Sequence, residues 1–191
     1  MYHFQMPHRR NQDECLGIAR HKIKEKGVFM LQITPRFRFM NLFIDNRPRA
    51  FAKIQGNEDY PNLQGFVFFY EVPNGGVLIE AEIFGLPVLK ASNAPVFYGF
   101  HIHEKGDCSD QFSNAGGHYN PRQTPHPHHA GDMPPLRSVD GYAWLAFYGD
   151  ELELSDLVGK SVILHRNADD FTTQPSGNSG AMIGCGVIEL M

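Results

Sequence analysis

Six of the ten histidines of this 191-residue chain fall within residues 99–132. They are His101, His103, His118, His126, His128 and His129. A seventh, His165, stands alone at the end of an apolar run further along the chain. Because imidazole is the most common side-chain ligand for copper and zinc, this density indicates a metal centre rather than a solvated, histidine-rich loop.

His101 and His103 are spaced so that one ion can bind both rings. They lie two positions apart in a predicted strand, where side chains at i and i+2 project from the same face. His165 ends a second predicted strand and could supply a third nitrogen. A His-x-His pair is weak evidence alone, because either ring can be an ordinary structural histidine, but a second group of ligands strengthens it.

That second group has four members, which follow one another at intervals of eight, three and three residues. Its members are His118, His126, His129 and Asp132. Three imidazoles and one carboxylate make a closed four-coordinate shell that suits a structural zinc ion. His118 could serve both groups through its two ring nitrogens if it is deprotonated. His128 lies between ligands, so we expect it to be exposed and not to bind metal.

The elements that must position these residues are predicted to be strands. Short β-forming segments separated by turns, typical of an all-β sandwich or barrel, occupy residues 50–55, 65–72, 77–84, 96–104, 142–148, 161–165 and 185–190. Trp144 is expected in the core. Two irregular loops, at about 105–138 and 166–184, interrupt the pattern. Loops of this length in a compact domain are usually functional, and metal binding would give them order.

The charge distribution divides the chain into two segments. Residues 1–49 carry ten Lys and Arg against four Asp and Glu, whereas residues 50–191 carry seven against seventeen. We therefore expect a basic N-terminal extension of unknown role over residues 1–48 and one domain over residues 49–191. The acidic balance of this domain argues against nucleic-acid binding.

The sequence also leads to expectations about membrane association, cellular location and the state of the cysteines. No apolar run approaches the roughly 20 residues that a membrane-spanning helix needs, so no membrane partner is expected. The first 20 residues are polar and show no signal peptide, which favours a cytoplasmic location. In that compartment Cys15, Cys108 and Cys185 would by themselves be interpreted as free thiols.

Four motifs together resemble the copper/zinc superoxide dismutase family. They read Gly-Phe-His-Ile-His-Glu-x-Gly-Asp, Gly-His-Tyr-Asn-Pro, His-Ala-Gly-Asp and Pro-Ser-Gly-Asn-Ser-Gly-Ala-Met-Ile-Gly-Cys-Gly-Val-Ile. They occur in the family's order, and the similarity covers about residues 49–190. The resemblance implies a Greek-key, eight-stranded β-barrel or sandwich whose active site lies outside the barrel under two long functional loops.

The resemblance also implies a ligand set. Copper would be held by His101, His103, His118 and His165. Zinc would be held by His118, His126, His129 and Asp132. His118 would then be the bridging imidazolate and the catalytic proton carrier.

Supporting residues match the family as well. Asp169, four residues after His165, stands where the family has an aspartate that hydrogen-bonds one copper histidine and one zinc histidine, whereas the neighbouring Asp170 is an acidic loop residue. Cys108 and Cys185 stand where the family forms its intrasubunit disulfide, which leaves Cys15 as a free thiol.

The implied function is superoxide dismutase, an oxidoreductase that converts superoxide to oxygen and hydrogen peroxide. Zinc has no redox chemistry, so copper must carry the one-electron cycle and zinc is structural. A mononuclear zinc hydrolase is disfavoured, because the zinc shell is closed and no general base is evident. Members of the family occur as dimers and as monomers, so a homodimer is one possibility.

Met182 departs from the family pattern. A cationic residue normally follows the Gly-Asn-x-Gly-x segment and lines the anion channel, and a thioether can neither steer nor hydrogen-bond an anion. Arg166, Arg122 and Lys105 could compensate, but the sequence does not place them near copper. The alternative is therefore a weak or inactive copper- and zinc-binding protein of the same fold that stores or senses metal.

Overall fold

A computed structural model of the chain describes residues 47–72, 75–88 and 96–191. All of these described residues belong to one compact unit of the chain. The basic extension expected over residues 1–48 lies outside the described residues except for Arg47 and Pro48, and Cys15 lies outside them as well.

The described residues form nine strands, which pair antiparallel in one sheet. Their bounds are β1 Ala50–Gly56, β2 Gln64–Glu71, β3 Val77–Phe84, β4 Val96–Tyr98, β5 Phe100–His103, β6 Leu136–Val139, β7 Tyr142–Gly149, β8 Ser161–His165 and β9 Met182–Leu190. The order across the sheet is β4-β6-β7-β3-β2-β1-β9-β8-β5. A 3₁₀ segment, Asp110–Ala115, follows β5, and the short helix α1, Leu154–Leu157, precedes β8.

Alternation of apolar residues along the strands builds the core. In β3, Val77, Ile79, Ala81 and Ile83 point inward and are buried. Equivalent residues of the neighbouring strands, such as Val67 and Ile188, join them in one buried cluster. Burial of one face of a curled sheet is what closes the structure into a barrel.

The two edges of the sheet are joined through Gly99. The sequence predicts one strand over residues 96–104, whereas the structure has β4 at one edge and β5 at the other. The backbone of Gly99 explains the break, because its N–H donates to the carbonyl of Asn167 over 2.7 Å and its carbonyl accepts the N–H of His165. With β4 and β5 counted as one interrupted strand, the eight-stranded, nearly closed all-β barrel is confirmed.

Two predictions about single elements are wrong. The strand β6 lies in a stretch that the sequence predicts to be loop up to about residue 138. Trp144 is not in the core, because it lies opposite Glu82 on the outward side of β3 and β7 and donates its Nε1–H to Glu80 over 3.1 Å. A buried carboxylate on that outer face offers the indole a hydrogen-bond partner that the core does not.

Two loops leave this barrel on the side of the histidines. The first loop, residues 104–135, connects β5 to β6, and the second loop, residues 166–181, connects β8 to β9. Among the described residues, no helix is long and apolar enough to cross a membrane.

Candidate metal centre

Strand β5 turns two histidines away from the core. All four of its residues are buried, but Phe100 and Ile102 belong to the hydrophobic core. Because side chains alternate along a strand, His101 and His103 face the other way, beneath the two loops. Two bulky apolar neighbours therefore fix the direction in which both imidazoles point.

The first loop returns along β5 and brings further ligands to it. Isolated antiparallel bridges pair His103 with His118 and His101 with Asp132. These bridges are backbone contacts, so the loop meets the strand in a defined register rather than through the side chains alone. This register places His118 beside His103 and Asp132 beside His101.

Gly131 allows this close approach of loop and strand. The N–H of Tyr119 donates to the carbonyl of Ile102 over 2.8 Å, and the N–H of Ile102 donates to the carbonyl of Gly131 over 2.9 Å. A Cβ at position 131 would clash with the carbonyl oxygen of Ile102. The loop can therefore lie against β5 only with glycine at this position.

The first cluster has its lone pairs directed inward. Ligand atoms of His101, His103, His118 and His165 all lie within 4.8 Å of one another. His103 Nδ1–H donates to the carbonyl of Gly116 over 2.8 Å, and His165 Nδ1–H donates to the carbonyl of Gly180 over 3.2 Å. Since both protons are on Nδ1, the two Nε2 atoms, 3.3 Å apart, face each other with lone pairs.

Asp169 links the two clusters from the second loop. Its Oδ2 accepts Nε2–H of His101 over 2.8 Å, and its Oδ1 accepts Nε2–H of His126 over 2.9 Å. Each ring is thereby held in the tautomer that leaves Nδ1 with a lone pair, and neither Nδ1 atom has a hydrogen-bond partner although both are buried. Glycine is required at position 177, because a Cβ there would clash with Asp169 Oδ1.

The second cluster surrounds the carboxylate of Asp132. Ligand atoms of His118, His126, His129 and Asp132 also lie within 4.8 Å of one another. Asp132 Oδ2 lies 3.0 Å from His126 Nδ1 and 3.3 Å from His129 Nδ1. Because the proton of His126 is on Nε2, its Nδ1 presents a lone pair to an anionic oxygen, an arrangement that a cation between them would stabilise.

His118 belongs to both clusters through different atoms. Its Nδ1 lies 2.7 Å from Asp132 Oδ1 and 3.5 Å from His129 Nδ1, whereas its Nε2 is buried without a hydrogen-bond partner. Two ligands at a tetrahedral angle on bonds of about 2.0–2.1 Å are about 3.3 Å apart. The distances between donor atoms in both clusters approach that value, so the residues present fit two metal ions sharing one imidazole.

Burial favours the uncharged, metal-binding form of three histidines of the first cluster, because it lowers the pKa of each. Burial, reinforced by neighbouring histidines, lowers the pKa of His103 to about 3 and that of His101 far below its usual range. Burial likewise lowers the pKa of His165 to about 4. Burial would raise the pKa of Asp132, but hydrogen bonds from His118 and the N–H of His129 outweigh it and lower the pKa overall. Neutral imidazoles and an ionised carboxylate are the metal-binding forms.

Comparison with known families gives the same result as this geometry. A family model described as copper/zinc superoxide dismutase matches residues 63–188, which is more than half of the chain. The chain belongs to the copper/zinc superoxide dismutase family. Copper and zinc are accordingly its cofactors, and the two histidine clusters are the groups that fit them.

Individual relatives differ in how far the likeness extends. The superoxide dismutase-like protein YojM of Bacillus subtilis is 42% identical over 106 residues, 47% of this chain and 54% of YojM, so the alignment spans about half of that relative. A copper/zinc superoxide dismutase of Caulobacter vibrioides is 35% identical over 143 residues, 65% of this chain and 78% of that protein. The crystal structure of the clock protein EA4 shares 32% identity at a TM-score of 0.65 over 75% of this chain and 96% of that one.

A disulfide ties the first loop of this superoxide dismutase-family chain to its last strand. Cys108 and Cys185 are bonded, with Cα atoms 5.8 Å apart. Met182 and Cys108 pack against a small buried cluster that includes Phe112 and Ile163. The thioether therefore fills an apolar niche beside the disulfide, at the position where the family pattern has a cation.

The remaining candidates lie away from the clusters or at their edge. His128 is exposed, and it belongs to neither group of potential ligands. Lys105 and Arg122 are exposed as well. The charge of Arg166 acts on the buried Tyr98. Burial raises the pKa of this tyrosine, and the guanidinium of Arg166 partly offsets that increase. Asp170 is exposed and accepts the N–H groups of two following threonines, so it organises the second loop.

Sequence reasoning missed the side chain of Gln174, as well as the backbone partners described above. Gln174 forms two hydrogen bonds to the backbone of His126, 48 residues away. No spacing rule identifies such a contact, because a glutamine in an irregular loop is ordinarily a solvated side chain. The contact becomes visible only when the two loops are seen side by side.

Proposed function

We propose that this protein is a superoxide dismutase, with superoxide as its small-molecule substrate. Two superoxide anions and two protons would give one dioxygen and one hydrogen peroxide. Copper, when bound, supplies the one-electron redox chemistry of this reaction, which zinc cannot supply. In this proposal His101, His103, His118 and His165 hold copper, and His118, His126, His129 and Asp132 hold zinc.

The observation that supports the proposal most strongly is the shared ring of His118. Its Nδ1 lies against Asp132 in the closed cluster, and its Nε2 lies in the other cluster without a protein partner. A site that only stored a metal ion would not need one imidazole common to two ion positions. The free Nε2 is also the atom that can hold a proton for the reduced substrate.

The other residues have orienting roles in this proposal. Asp169 holds the rings of His101 and His126 by accepting one proton from each. The carbonyl groups of Gly116 and Gly180 do the same for His103 and His165. These contacts fix the tautomers of four rings before metal arrives, so those rings need little reorganisation on binding.

A second candidate function is metal binding with slow or absent turnover. It is favoured by Met182, whose side chain packs beside the disulfide where a cation would attract the substrate anion. The name of YojM, a superoxide dismutase-like protein, is compatible with this alternative. Superoxide turnover by protein of measured copper and zinc content distinguishes the two: turnover proportional to copper supports the enzyme, and none at full occupancy supports the alternative.

A further inference from the structure

The two loops meet at a second place besides Asp169. Gln174 Nε2–H donates to the carbonyl of His126 over 2.6 Å, and the N–H of His126 donates to Gln174 Oε1 over 3.1 Å. One side-chain amide thus satisfies both backbone groups of one residue. In an antiparallel sheet, two opposing residues exchange two N–H···O hydrogen bonds. Here the side-chain amide of Gln174 takes the place of one of those two residues.

His126 is consequently held by the second loop at both ends. Its ring, which is fully buried, donates to Asp169, and its backbone is bonded to Gln174. Its remaining ring atom, Nδ1, faces Asp132 over 3.0 Å. Because the backbone and the Nε2 atom of His126 are both held, the Nδ1 lone pair of its ring points in one direction, toward Asp132.

The second loop presents Gln174 from a turn that is held by hydrogen bonds within the loop itself. Within it, the N–H of Gly177 donates to the carbonyl of Thr173 over 2.7 Å, and the N–H of Asp170 donates to the carbonyl of Gly177 over 2.9 Å. The hydroxyl of Thr173 donates to the carboxylate of Asp170 over 2.6 Å. Gln174 itself is exposed on this turn, so its amide contributes little to packing.

We propose that Gln174 is a positioning residue for the zinc site, acting through the backbone of His126, and that it links zinc binding to the order of the second loop. This inference rests on the proposed role of His126 as a zinc ligand. Partners of metal ligands typically change metal affinity about 10- to 100-fold when they are removed. A side-chain amide carries its donor and its acceptor on separate atoms, so Gln174 can donate to the carbonyl and accept from the N–H of His126 at the same time.

The test compares three variants of the full-length chain for zinc affinity, measured by competition with a chromophoric chelator after metal removal. Gln174→Met keeps the length of the side chain and removes both hydrogen bonds, so the zinc dissociation constant should rise about 10- to 100-fold. Gln174→Glu keeps the acceptor and loses the donor, so its constant should lie between those of the wild type and Gln174→Met. Thr173→Val removes one hydroxyl hydrogen bond of the same turn but leaves its backbone hydrogen bonds and both contacts to His126, so it should bind zinc within about twofold of wild type.

A structural readout accompanies the affinity. Zinc should slow hydrogen exchange at the amides of Asp170 and Gly177 in the wild type and do so less in Gln174→Met. Cobalt(II) placed in the zinc site should also show altered d–d absorption in Gln174→Met but not in Thr173→Val.

Three outcomes would contradict the inference. Equal zinc affinity in Gln174→Met and wild type overturns it while leaving the proposed function intact. Equal weakening in Thr173→Val and Gln174→Met reduces the role of Gln174 to general loop order and overturns it too. A wild-type chain that binds no zinc overturns this inference together with the ligand set of the proposed function.

Discussion

At the scale of single residues, Asp169 orients one histidine ring in each of the two clusters. It is nearly fully buried and accepts one ring proton from each cluster. Asp169→Ala should therefore weaken binding of both copper and zinc, by about 10- to 100-fold each. Isothermal titration with each ion measures the effect.

Asp170→Ala is the matched control for that prediction. This neighbouring carboxylate orders the second loop through Thr172 and Thr173 and does not contact either cluster. It should leave metal affinity nearly unchanged. Equal losses in both variants would mean that the loop as a whole, and not the carboxylate of Asp169, controls binding.

Met182 occupies the position at which the family pattern has a cation. Its side chain packs against the apolar cluster around Phe112 and the disulfide. Met182→Arg should raise superoxide turnover at low ionic strength, because a cation then lies along the approach to copper. Pulse radiolysis of wild type and variants with equal copper content measures the turnover rate, and Met182→Gln is the neutral control. Equal rates in both variants and wild type would contradict this role of position 182.

At the scale of elements, contact between the first loop and β5 positions four of the ligands. Gly131→Ala should push the loop away from the carbonyl of Ile102 and lower both zinc affinity and the free energy of unfolding, the latter by about 1–3 kcal/mol. Gly117→Ala is the control in the same loop, because its Cβ would only reach ordinary contact with Glu104. Thermal unfolding of the zinc-loaded variants gives the comparison, and equal melting temperatures would contradict the prediction.

The disulfide anchors the same loop at its beginning. Cys108 and Cys185 are separated by 77 residues, and the chain-entropy estimate for closing such a loop is about 4.5 kcal/mol. Cys185→Ser should lower the free energy of unfolding by about 2–4 kcal/mol, as measured by urea denaturation of metal-free protein. An unchanged midpoint under oxidising conditions would show that the bond contributes no stability.

The strands, and the clustering of the candidate ligands, were largely predictable for identifiable physical reasons. Alternation reveals a strand such as β3, and the i, i+2 spacing of His101 and His103 reveals a common face. The break at Gly99 was not predictable, because its cause is a hydrogen bond to a loop residue 68 positions away. The outward position of Trp144 depends on Glu80, a carboxylate whose burial only the assembled sheet reveals.

At the scale of the whole molecule, the negative net charge would repel the superoxide anion that we propose as substrate. The chain has a formal net charge of −4, and residues 50–191 carry seventeen acidic against seven basic residues. Without a cation at position 182 to focus the field, added salt should screen repulsion and leave the turnover rate unchanged or raise it. Met182→Arg should reverse the sign, so that salt lowers its rate; a wild-type rate that falls steeply with salt would show that another cation guides the anion.

We propose that the two clusters sharing His118 form a redox centre. Copper content, zinc content and superoxide turnover, measured on the same samples from metal-free to fully loaded protein, test this proposal. Turnover should rise in proportion to bound copper and be absent with zinc alone. Full copper occupancy of the His101, His103, His118 and His165 cluster without turnover would contradict it.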